Sequence, residues 1–130
     1  MAVMDQAARV TAANVRGAML AWALRCEGEP SAEIKRVYQA FAGLARRHPE
    51  QFPDLHFVPR GGVPYSRHLE DILFRMGVWR LLTVGNPEYR YFRVDTTAAR
   101  RALDSVTAEE RATLDALAEE LADLLASVAR

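Results

Sequence analysis

A single cysteine, Cys26, stands among the 130 residues, so no internal disulfide can form, and it reads as a small buried hydrophobe rather than a reactive thiol. Lysine is nearly absent too, with Lys35 alone among 17 basic residues, a bias of codon composition more than of arginine chemistry. The longest apolar run near the N-terminus, Gly17 to Leu24, is too short to span a bilayer and follows no basic leader with a cleavage site. A cytoplasmic chain with no membrane partner is therefore expected. Histidines number three, His48, His56 and His68. A metal centre wants three or four converging ligands, and only His68 and Asp71 share a helix, with His56 a distant third. His68 reads instead as a solvated residue near a helix start, and no metal or cofactor is expected. Gly61-Gly62 lacks the Gly-x-x-x-x-Gly-Lys pattern of a phosphate loop. No Ser-His-Asp or Cys-His set can be argued from spacing, so the expectation is a protein that binds rather than catalyses.

What is present is ordinary for a folded domain, 50% hydrophobic and 26% charged residues, enough to bury a real core. Residues 1–130 read as one domain. It divides into N-terminal helices over 1–48, a proline-rich loop with a short strand over 49–65, a helix and hairpin over 66–94, and C-terminal helices over 96–130. Net charge is zero but unevenly spread, +1 over residues 1–54, +4 over 55–103 and −5 over 104–130. That asymmetry fits either a nucleic-acid footprint in the middle or one part of the chain complementing another, across a dimer for instance.

The most informative stretch is VPYSRHLEDILFRMGVWRLLTVGNPEYRYFRV, from Val63 to Val94. Ser66 supplies a helix cap and Gly77 a stop. Leu69, Ile72, Leu73 and Met76, at i, i+3, i+4 and i+7, form one apolar stripe. The opposite face carries Arg67, Glu70, Asp71 and Phe74, flanked by His68 and Arg75. Two strands then follow, Val78 to Val84 and Tyr89 to Val94, joined through Gly85-Asn86-Pro87-Glu88. In the second, Arg90, Phe92 and Val94 share one side and Tyr89, Tyr91 and Arg93 the other. A capped helix running into a hairpin is the closing half of a winged helix.

Around it, an Ala-rich helix is predicted from about Asp5 to Cys26, with Val15, Met19 and Trp22 inward. A second helix, capped by Ser31, turns Ile34, Val37, Tyr38, Phe41, Leu44 and Ala45 inward and ends before Pro49. Leu55 to Val58 reads as a short strand able to join the wing as its third. Asp95 or Thr96 caps a short helix through Leu103. Thr107-Ala108-Glu109-Glu110 is a capping box opening the last helix. There Leu114, Leu117, Leu121, Leu124 and Val128 follow heptad spacing, which suits packing on the first helix of the same chain or dimerisation with a second copy. The fold expected is mostly α with a small antiparallel β-sheet (α+β), a winged-helix-like core with an N-terminal helical pair and a long C-terminal helix.

Pro64-Tyr65-Ser66, the HLEDILFRMGVW helix and the YRYFRV strand resemble small prokaryotic winged-helix-like domains in which a Pro-Tyr-Ser start opens a helix ending at Leu-x-x-x-Gly before a hairpin, with Panacea-type antitoxin domains as the relatives. The resemblance covers about 40 residues and implies a non-enzymatic regulator that binds a protein partner or DNA. Two readings of the surface follow. The first is an antitoxin-like neutraliser or a small subunit of a bacterial assembly, binding a protein partner through Arg67, His68, Glu70, Asp71, Phe74, Arg75, Tyr89, Arg90, Tyr91 and Arg93, since interface centres favour aromatic residues and arginine. The alternative is a transcriptional regulator holding double-stranded DNA, with the 66–76 helix in the major groove and Arg90 and Arg93 on phosphates. Glu70 and Asp71 on the presented face weigh against the second.

Overall fold

The computed structural model describes residues 2–85 and 90–128. In chain order the elements are α1 (Ala2–Arg25), β1 (Ser31–Glu33), α2 (Ile34–Arg47), β2 (Val58–Arg60), β3 (Val63–Tyr65), α3 (Arg67–Val78), β4 (Leu82–Gly85), β5 (Tyr91–Val94), α4 (Thr96–Leu103) and α5 (Ala108–Val128). The fold is mostly α with a small antiparallel sheet, ordered β1-β5-β4. Strand β1, which lies between α1 and α2, pairs with β5 and so joins the β4-β5 hairpin as its third strand. A second hairpin, β2-β3, is inserted between α2 and α3. No described helix is long and apolar enough to cross a membrane.

One continuous hydrophobic cluster draws on all five helices and both strands of the wing. At its centre lies α1, with Val15, Ala18, Met19, Leu20, Ala21, Trp22 and Ala23 all buried. A helix this apolar around its circumference must be covered on several sides. Here α3, α4 and α5 cover it, and α5 also packs along α2. Two glycines set how close α5 comes. A Cβ on Gly17 would lie 2.4 Å from Leu114 Cδ2, and one on Gly43 would lie 3.3 Å from Leu124 Cδ2. Leu114, Leu117 and Leu121 are thereby buried inside the chain. Of the two roles their heptad spacing allows, packing within the chain holds, and burial leaves these three leucines no surface for a second copy. Leu124 is half-buried, and the Val128 side chain lies outside the described residues.

The local signals hold at several helix starts. Ser66 Oγ accepts from the Leu69 N–H at 3.1 Å, and Asp95, rather than Thr96, caps α4 by accepting from the Ala98 N–H at 2.9 Å. Both arms of the capping box form, Glu110 N–H to Thr107 Oγ1 at 3.0 Å and Thr107 N–H to Glu110 Oε1 at 2.8 Å.

Three expectations are corrected. Ser31 does not cap α2; it opens β1, and Ile34 N–H bonds to Arg90 O because pairing with β5 overrides the local start signal. Leu55 to Phe57 is not a strand, and β2 pairs with β3 across Gly61-Gly62, leaving β1 as the third strand of the wing. Both glycines have positive φ, 59° and 80°, as a two-residue type I′ hairpin turn requires. Gly77 does not stop α3, which runs to Val78; the left-handed residue is Arg80, φ 61°. Leu81 N–H bonds to Met76 O and Arg80 N–H to Gly77 O, the two bonds of a Schellman motif, with Met76 and Leu81 both buried beneath it. The first wing strand accordingly begins at Leu82 rather than Val78. The turn residues 86–89 lie outside the described residues.

Candidate functional site: the outer face of α3 and the groove beside the wing

Helix α3 puts Leu69, Ile72, Leu73 and Met76 into the core and leaves Arg67, Glu70, Asp71, Phe74 and Arg75 outside. Phe74 is 71% exposed. Because the helix continues past Gly77, Val78 falls one turn beyond Phe74 on the same face and is 62% exposed. Beside them β4 and β5 turn Leu82, Val84 and Phe92 inward, and Val84 at the sheet edge stays exposed. Between helix and sheet runs a groove of about 660 Å³, lined by Leu73, Leu82 and Phe92 together with Ile34, Tyr38 and Glu70. Gly77 lines it, and its missing side chain keeps that wall low. Scattered exposed apolar residues are ordinary, but three at the lip of one apolar groove make a patch.

Tyr38 and Glu70, both in the groove wall, are tied to Tyr65. Tyr65 lies 5.9 Å from Tyr38 with the rings 9° from parallel, and the Arg60 guanidinium lies over the Tyr65 ring at 3.8 Å. Tyr65 donates to Glu70 Oε1 at 2.9 Å, a bond that raises the Tyr65 hydroxyl pKa and keeps it a neutral donor. Burial, then the charge of Glu70 and the other groups around it, pushes Tyr38 well above the ordinary phenol value. Neither tyrosine is arranged as an acid or base near neutral pH.

The residues expected to bind a partner do not form one surface. His68 turns away to Asp54, with Nε2 3.1 Å from Oδ2, where it ties α3 to the preceding loop. The same loop is pinned from below by buried Thr11, whose hydroxyl accepts the Asp54 N–H at 3.0 Å. Tyr91 and Arg93 alternate with Phe92 and Val94, so they lie on the sheet face opposite the groove. Arg93 pairs with Glu29 at 2.6 Å, and Arg90 with Glu33 at 3.3 Å. Glu33, nearly buried, is also 3.5 Å from Lys35. Tyr89 lies outside the described residues. What the structure brings together is Arg67, Glu70, Asp71, Phe74 and Arg75, joined by Val78 and Val84. Val78 was legible only if α3 was followed past Gly77, since 67, 71, 74 and 78 continue one helical face, whereas Val84 joins from β4 only through the packing of the sheet beside α3.

Among the described residues no three His, Cys, Asp or Glu side chains converge as metal ligands. No family model matches this chain, and neither a curated protein nor a solved structure matches it.

Proposed function

We propose that the chain is a non-enzymatic regulatory or adaptor protein of the cytoplasm that docks a protein partner on the outer face of α3, with Phe74 as anchor. The observation that carries this reading is the exposed trio Phe74, Val78 and Val84 around an apolar groove, ringed by charges of both signs. An aromatic anchor beside a desolvated groove is the usual centre of a protein interface. An antitoxin-like neutraliser and a small subunit of a bacterial assembly both use a surface of this kind.

DNA is the second reading, supported by a helix that runs directly into a β-hairpin, α3 into β4-β5, with an exposed outer face of the kind a recognition helix presents. Electrostatics oppose it. Phosphate binding draws on several uncompensated cations, whereas Arg90 and Arg93 are matched with Glu33 and Glu29. Exposed pairs are weak enough to break, but the carboxylates would then face the phosphates.

Tagged protein is recovered from its native host in nuclease-treated and untreated halves, beside the double variant Arg67→Glu, Phe74→Ala. One stoichiometric protein that survives nuclease and is lost in the variant is the expected result. Recovery of DNA fragments sharing a sequence, lost as salt rises, would replace this reading with a DNA-binding regulator.

A further inference from the structure

On the other side of α3, away from the docking face, a second cavity lies where α1, the turn after α3, α4 and the start of α5 meet. Its volume is about 560 Å³, within the range of small-molecule sites. Apolar side chains form most of its wall, among them Leu20, Leu81, Leu103, Val106 and Leu114. Trp79, 56% exposed, stands over one side. It is the C-cap residue of α3, presented by a turn that holds Arg80 in the left-handed region. The indole is thereby left half in water at the edge of the cavity.

The polar groups of the wall are nearly all satisfied within the chain. Ser105 donates to Ala102 O at 2.8 Å, Thr113 to Glu109 O, and the Asn14 side chain to Gln51 O at 2.7 Å. Glu110 holds its place in the capping box. Arg16 differs. It is half-buried, its guanidinium carbon lies 5.7 Å from the centre of the Trp79 ring, and among the described residues no carboxylate is within ion-pair distance of it. A cation over a ring engages through its face, so the in-plane N–H fork stays available for a planar anion.

We infer that this cavity binds an apolar monocarboxylate, its carboxylate taken by Arg16 and its hydrocarbon body lying between Trp79 and the leucines of α1, α4 and α5. A neutral ligand leaves Arg16 without its anion. A dianion adds a second negative charge to a cavity that Glu110 also lines. The site is separate from the docking face, and its test does not depend on that reading.

The test uses the full chain and three probes, 4-phenylbutyrate, its neutral amide and phenylsuccinate, titrated by calorimetry. Trp79 emission is followed in Trp22→Phe, which leaves the indole at the cavity as the only tryptophan. Saturable binding of 4-phenylbutyrate with a Kd of about 1 mM or below is expected, with the amide at least about tenfold weaker and phenylsuccinate weaker than the monoanion. Arg16→Gln, with an unchanged circular dichroism spectrum, should erase the preference for acid over amide, and Trp79→Ala should weaken both. Equal affinity for acid and amide, a preference that survives Arg16→Gln, or no saturable signal up to about 10 mM would overturn the assignment.

Discussion

At the scale of single residues, backbone conformation and exposure separate what serves stability from what serves the surface. Arg80 occupies the left-handed position that glycine fills at low cost, while its side chain is exposed and enters no ion pair among the described residues. Arg80→Gly should therefore stabilise the chain by about 1 kcal/mol, read as a higher urea midpoint. Gly77 is the opposite case. It sits inside α3 with its nearest would-be neighbour, Leu82 O, at an ordinary 3.8 Å. Gly77→Ala is expected to be neutral or stabilising by up to about 1 kcal/mol. Phe74→Ala removes a ring that touches mostly water, so stability should change by less than about 0.5 kcal/mol while partner affinity falls by about 2 kcal/mol or more. A loss of stability larger than the loss of affinity would show that Phe74 belongs to the core.

At the scale of elements, α5 is fastened along its length and at one acidic residue. Near its middle, Glu120 meets His48 Nε2 at 2.7 Å and Arg47 at 3.2 Å, joining α5 to the end of α2. Partial burial pushes the Glu120 pKa up, but the hydrogen bonds and charges of His48 and Arg47 outweigh it and hold the group below its ordinary 4.5. Glu110 is also held low, first by the Thr107 backbone N–H and then by the Thr107 side chain. A carboxylate depressed in the folded state contributes stability that is present above about pH 4.5 and lost as pH falls through the folded value. Glu120→Gln should thus flatten the fall in unfolding free energy between about pH 5 and pH 3, by at most about 1 kcal/mol for so exposed a pair. An unaltered pH profile would mean that the tie to α2 is not maintained in solution. The capping box was legible because its partners are three residues apart; His48 and Glu120 are 72 apart, and only packing introduces them.

At the scale of the whole molecule, α5 closes over α1 and α2 with its leucines inside. Leu121→Ala should cost about 3 kcal/mol in unfolding free energy without changing the sedimenting mass, because the residue is fully buried within one chain. Gly17→Ala should cost about 1–3 kcal/mol by pushing against Leu114 where the two helices meet. A fall in mass without loss of stability would restore the leucines to an interface between copies. Periodicity placed the five helices, the α3 core stripe and the alternation of β5, and side-chain caps marked the starts of α3, α4 and α5, since each depends on near neighbours in the chain. The tertiary structure decided the rest. Ser-Ala-Glu at 31–33 has little strand propensity of its own and becomes β1 through pairing with β5. Heptad spacing says that a leucine face must be covered, not by what, and two glycines facing Leu114 and Leu124 settled that it is covered at home. The groove beside Phe74 and the cavity around Arg16 exist only where elements distant in sequence meet, because a concave surface needs walls that no single stretch of chain supplies.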